Sequence, residues 1–90
     1  MNFTWNQSKN AKLKMERKVS FEEIVIAIQN DCIVDIIEHP NSAKYPNQKL
    51  YIIKFNKYIY VVPVEISQDG IELKTIFQSR KFNKIYNNGD

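Results

Sequence analysis

The chain has 90 residues, 43% hydrophobic and 26% charged, with 2 glycines and 3 prolines. That length suits one small domain, and the composition excludes a collagen-like or broadly disordered chain. One cysteine, Cys32, and one histidine, His39, exclude an internal disulfide and a multi-histidine metal site, so neither a metal nor another cofactor is expected.

No apolar run approaches the roughly 18 residues that span a membrane. Met1 to Ser20 lacks the apolar stretch of a signal peptide. A reducing cytoplasm is the expected compartment. The net charge of +3 is unevenly spread. Residues 1–20 carry five basic side chains and one acidic. Residues 21–48 carry Glu22, Glu23, Asp31, Asp35 and Glu38 against Lys44, and residues 49–90 are basic again. Two basic segments therefore flank an acidic one, which permits a phosphate-bearing partner and equally describes solvated surface.

Phe3-Thr4-Trp5 reads as a short edge strand. Asn6 then caps a helix from Gln7 to Lys18 that is thinly apolar and shows its cations to solvent. Ser20-Phe21-Glu22-Glu23 is a capping box with a Val19–Ile24 staple, and Phe21, Ile24, Val25 and Ile28 give the second helix one apolar face, ending near Asn30.

Beyond Asn30 the pattern is β. Strands are predicted at Ile33–Glu38, Leu50–Asn56, Tyr58–Ile66 and Ile71–Ser79. Turns are expected at Asn56-Lys57 and Asp69-Gly70, the second pairing Glu65 with Lys74. Pro63 cannot donate to a ladder and marks a bulge or gap. Phe82 to Tyr86 reads as a helical turn. The expected architecture is α+β: two N-terminal helices packed on a mostly antiparallel sheet of about four strands. Tyr51, Ile53, Tyr60, Val62, Val64, Leu73 and Phe77 form its core face. The opposite face, with Ile59, Val61, Pro63 and Ile76, is left half-open and suited to a ligand or partner.

No spacing specifies an enzyme, but several residues can carry phosphate chemistry. Arg80, followed by Lys81 at the end of the last strand, can fork onto a scissile phosphate and stabilise transition-state charge. Arg17, beside Lys14, can be a second clamp or can complement the helix C-terminus. Glu65 can act as general base, held ionised by Lys74, or can form a plain cross-strand ion pair. His39 can shuttle protons or orient its loop by a hydrogen bond. Tyr45, Tyr51, Tyr58 and Tyr60 can stack on bases, although core packing suits the last three better.

Taken in order, Phe3-Thr4-Trp5-Asn6, Lys9-Asn10, Val19-Ser20-Phe21-Glu22-Glu23, Lys74-Thr75-Ile76 and Ser79-Arg80-Lys81 resemble the BrnT-like toxins of bacterial type II toxin–antitoxin systems. The resemblance runs from about Phe3 to Lys84. It implies a RelE-like fold for a single toxin-like domain over residues 1–90. It also implies a metal-independent endoribonuclease that cleaves RNA by 2′-OH attack and inhibits translation. Arg80 matches the arginine of the family's closing motif, and Arg17, Lys81, Lys74 and Lys14 would bind substrate. The implied partner is a DNA-binding antitoxin, often with a ribbon-helix-helix domain, so DNA is met only through it. The alternatives are a non-catalytic RNA- or protein-binding module on the same basic surface, and a partner-binding scaffold using Ile59, Val61 and Ile76.

Overall fold

Asn6 accepts a hydrogen bond from the Lys9 amide (2.9 Å) and so starts α1, Gln7–Arg17, which ends where Lys18 takes a left-handed backbone (φ 60°). Ser20 starts α2, Phe21–Gln29, by accepting from the Glu23 amide at 3.2 Å. The Glu23 carboxylate closes the box on the Ser20 hydroxyl at 3.0 Å. The computed structural model describes residues 2–87. Its other elements are β1 (Phe3–Thr4), β2 (Ile33–Glu38), β3 (Gln48–Phe55), β4 (Tyr58–Ser67), β5 (Gly70–Leu73), β6 (Phe77–Gln78) and α3 (Arg80–Tyr86).

The chain is α+β, with a mixed sheet in the order β1-β5-β4-β3-β2 and β6 on the edge of β4 beyond β5. β1 runs parallel to β5, and the other pairings are antiparallel. This exceeds the expected four strands and adds a third helix. Phe55 faces Tyr58 as expected, across a turn whose Asn56 and Lys57 have φ of 52° and 65°. The second hairpin differs. Ser67 faces Gly70, the turn is Gln68-Asp69, and Glu65 faces Glu72 rather than Lys74. Gly70 is drawn into the strand because β1 passes directly over it: a Cβ there would meet the Asn2 carbonyl oxygen at 2.4 Å, and φ is 141°. The displacement is two residues, so each side chain of β5 keeps its face.

Pro63 ends the β4–β5 ladder. Its carbonyl accepts from the Lys74 amide (2.8 Å), but it has no N–H to return. Pairing resumes at Val61–Phe77, so Thr75 and Ile76 together stand opposite Val62. This bulge shifts the register by one, which exchanges the faces of Ile76 and Phe77. Ile76 is fully buried in the main core, and Phe77, expected in that core, is 39% exposed.

Helices pack on both sheet faces. Leu13, Phe21, Ile24 and Ala27 pack on Tyr51, Ile53, Tyr60, Val62, Val64 and Leu73. On the other face, Phe82 and Tyr86 of α3 pack over Ile52, Ile59 and Val61. The expected half-open face is thus corrected. Ile59, Val61 and Ile76 are at most 1% exposed, and they cannot form a partner surface as a scaffold reading requires. Ser79 caps α3 by accepting from the Phe82 amide at 3.1 Å, and the Tyr86 hydroxyl donates to Asp35 of β2. The other Asp35 oxygen accepts from the Ile36 amide at 2.8 Å.

Asn10 ties the two N-terminal helices together. It is 2% exposed, its carbonyl accepts from the Phe21 amide at 2.8 Å, and its amide donates to Glu22 at 2.7 Å. The first contact satisfies one of the orphan donors at the start of α2. Asn10→Ala strands that donor in the interior and is expected to cost about 2 kcal/mol in urea unfolding.

The Glu22 carboxyl is held below its ordinary 4.5, chiefly by the Asn10 amide, then by its own backbone amide and by Lys14. A lowered folded value gives a contribution that is complete above the ordinary value and lost as pH falls through the folded one. Glu22→Gln is therefore expected to flatten the acid limb of the stability curve. The Tyr86 hydroxyl is held above its ordinary 10.0, first by its bond to Asp35, then by desolvation and the Asp35 charge. That contribution is present below the ordinary tyrosine value and lost as pH rises through the raised one. Tyr86→Phe is expected to lose stability at neutral pH and to be less sensitive to alkali than the parent in urea unfolding on both sides of that range.

Candidate functional site

Helix α1 lies alongside the segment Glu72–Gln78, and a groove separates them. Lys9, Lys12 and Glu16 recur at helical spacing and share the face that lines it. The groove consists of three adjoining hollows. The first, of about 330 Å³, is lined by Asn6, Lys9, Glu72, Leu73 and Lys74. The second, of about 220 Å³, shares Lys9 and continues past Lys12 and Thr75 to Glu16 and Arg17. The third, of about 500 Å³, shares Glu16 and Arg17 and ends among Val19, Tyr60, Ile76, Phe77 and Gln78. An 11-residue helix makes such a groove about 16 Å long.

The widest hollow has a built wall. Arg17 donates from Nη1 to the Ile76 carbonyl at 2.5 Å, the group that the Pro63 bulge turns away from the ladder. Among the described residues this is the only side-chain hydrogen bond of Arg17, so most donors of its fork stay available to an anion. Tyr60, 7% exposed, forms the floor, with Phe55 and Tyr58 edge-on at 5.8 and 6.2 Å. Gln78 is exposed at the rim, and its Nε2 donates to the Tyr60 hydroxyl at 3.2 Å.

The residues singled out from the sequence are dispersed. Arg17 and Lys74 line the groove, at opposite ends. Lys14 lies outside its lining and pairs with Glu22 at 3.7 Å. Arg80 and Lys81 open α3, whose Phe82 and Tyr86 pack on the opposite sheet face from α1. The Ser79 amide binds the Ile59 carbonyl, and Glu65 lies six residues further along β4. At the rise of an antiparallel strand, that puts Arg80 about 20 Å from Glu65.

His39 follows β2 at the same end of the sheet as Glu65. Its Nδ1 accepts from the Asn41 amide at 3.0 Å, and its ring leans on Tyr45 at 4.8 Å. This is the loop-orienting arrangement. Arg80, Glu65 and His39 are thus not gathered around one phosphate. Glu65 does meet Lys74, at 3.7 Å, diagonally rather than directly opposite.

Lys9, Lys12, Glu16 and Gln78 complete the groove and were not singled out from the sequence. The i, i+3, i+7 spacing of the first three was the available signal. No family model, curated protein or solved structure matches the chain. Among the described residues, no group of three His, Cys, Asp or Glu side chains is placed to hold a metal ion, and no helix is long and apolar enough to cross a membrane.

Lys74 has an electrostatic task at its end of the groove. Glu65 and Glu72 face each other across the β4–β5 pair, and Lys74 sits 3.7 and 3.4 Å from their carboxylates. Directly opposed like charges destabilise a sheet. Because all three groups are substantially exposed, Lys74→Ala is expected to cost only about 0.5 kcal/mol. The loss should fade as salt is added to a thermal melt.

Proposed function

We propose that the protein binds single-stranded RNA along the α1 groove and cleaves it there as a toxin-like endoribonuclease of the BrnT-like, RelE-like kind. The observation that carries this reading is Arg17, anchored on the Ile76 carbonyl at the mouth of the widest hollow with Glu16 beside it. Lys9 and Lys12 extend the cationic track along the same helix. A ribose 2′-oxygen attacks the adjacent phosphorus, giving up its proton to the Glu16 carboxylate. The bond from phosphorus to the 5′-oxygen breaks, leaving a 2′,3′-cyclic phosphate, and the departing oxygen takes a proton from solvent. Arg17 holds the phosphoryl oxygens and offsets the charge that builds up on them. A DNA-binding antitoxin, of the ribbon-helix-helix kind that the sequence resemblance implies, is the proposed partner.

A second reading, a non-catalytic RNA-binding module, is favoured by one observation. Among the described residues, Glu16 is the sole carboxylate lining the Arg17 hollow, and no histidine lines it. Arg17→Ala separates the two readings. If the chain is a nuclease, this change is expected to lower the rate of RNA cleavage by 10²-fold or more, while Arg80→Ala leaves it within a few-fold. In both readings, the three α1 cations of the groove, Lys9, Lys12 and Arg17, give a slope of about −2 for log affinity against log salt, Lys74 being already paired with Glu65 and Glu72, and Lys9→Ala shallows it by about 0.7. Fluorescence anisotropy on a labelled oligoribonucleotide, with gel analysis of the same samples, measures binding and cleavage together. Salt-dependent binding without product leaves the module reading. The absence of binding at low salt rejects both.

A further inference from the structure

The widest hollow contains more than a phosphate needs. Tyr60 and Gln78 are paired across β4 and β6 and so lie on one face, that of α1. One Gln78 N–H is taken by the Tyr60 hydroxyl at 3.2 Å, and that hydroxyl sits on a ring wedged against Phe55 and Tyr58. With Nε2 as the donor, the bond holds that end of the amide on Tyr60. It leaves one N–H and the carbonyl oxygen at the rim, a donor and an acceptor side by side in a set orientation. Ile76, whose carbonyl anchors Arg17, lies two residues before Gln78, about 7 Å along the strand. Arg17 and the Gln78 amide thus flank a hollow of about 500 Å³, within the size range of small-ligand sites. A nucleotide has the same layout, with its phosphate and its base on either side of the sugar.

We infer that the Gln78 amide, oriented by Tyr60, reads the base next to the phosphate held by Arg17, and that the base it selects is adenine. This rests on the RNA reading of the groove. A purine in the anti conformation turns its Hoogsteen edge, not its Watson–Crick edge, toward its own 5′-phosphate, so an amide about 7 Å from the phosphate clamp meets that edge. In adenine it offers the N6 amino donor beside the N7 acceptor, which a glutamine amide meets with two hydrogen bonds. On that edge guanine presents two acceptors, uracil one acceptor and cytosine one donor. Each of these leaves an arm of the amide unpaired as the base displaces water, and that is the costly outcome. Gln78 is then a specificity residue, and Tyr60 is a positioning residue acting through it.

The test uses the full chain and four labelled octaribonucleotides, rA, rC, rG and rU, with affinities read by anisotropy at low salt. The parent protein is expected to prefer rA by about tenfold or more, the discrimination of one bidentate amide–adenine pair. Gln78→Ala is expected to bring the four affinities within about threefold of one another while keeping the salt slope. Tyr60→Phe, which keeps the buried ring and removes only the hydroxyl, is expected to lose most of the preference. Circular dichroism confirms that both variants are folded. Equal affinity of the parent for all four, or an rA preference that survives Gln78→Ala, overturns the inference and leaves RNA binding standing. Failure of the parent to bind any of the four overturns the RNA reading itself.

Discussion

The missing amide hydrogen of Pro63 shapes more of this molecule than any other single constraint. A ladder between β4 and β5 that ran on without interruption would bury Phe77 and keep the Ile76 carbonyl within the sheet. Because Pro63 cannot return the bond from Lys74, Thr75 and Ile76 leave the ladder and pairing restarts one residue out of phase. Ile76 then fills the main core, its carbonyl is free to anchor Arg17, and Gln78 arrives on the face of Tyr60. The widest hollow is the local consequence of an imide in a strand that otherwise has strong reasons to be continuous.

The rest of the sheet is arranged so that this irregularity stays local. Helices on both faces bury β3 and β4, and Ile52, Ile53, Ile59, Val61, Val62 and Val64 are all within 1% of full burial. At the β2 edge, Asp35 binds the Ile36 amide and also receives the Tyr86 hydroxyl. One carboxylate thereby occupies an edge amide and ties down α3, two of the ways in which an exposed strand edge is protected from further pairing. At the opposite edge, β1 is only two residues long and is held by the close passage of Asn2 over Gly70.

Local chemistry was readable in the sequence wherever a short stretch decides its own conformation. Asn6 and Ser20 announce their helices because their side chains cap amides three residues on, and Asn56-Lys57 marks a turn because the strands on either side are regular. Pro63 announces its break for the same reason. Asp69-Gly70 misleads because the glycine serves the approach of a distant strand rather than the turn. Phe82 and Tyr86 are too short a signal to reveal that α3 packs over Ile52, Ile59 and Val61 on the second sheet face. The site was readable only in its parts. Arg17 and Lys74 stand out as cations. Their joining into one groove with Lys9 and Lys12 depends on α1 lying along Glu72–Gln78, a tertiary contact that no local pattern encodes. The same lack of tertiary information lets Arg80, Glu65 and His39 look like a set, although β4 holds the first two about 20 Å apart.

Charge acquires meaning through this geometry. The N-terminal segment is the most basic part of the chain, yet its cations divide by direction. Lys14 turns to Glu22 and helps hold the helix pair, while Lys9, Lys12 and Arg17 face the groove. Arg17 can serve both structure and ligand because a guanidinium carries five donors in a rigid fork: one is spent on the Ile76 carbonyl, and that bond restrains the side chain for the others. A lysine ammonium at this position would hold the carbonyl or meet a phosphate as a point charge, without the fork's fixed geometry. Order at the mouth of the hollow thus comes from a backbone carbonyl released by a proline on the neighbouring strand, through a side chain that can bind that carbonyl and still present a charged face.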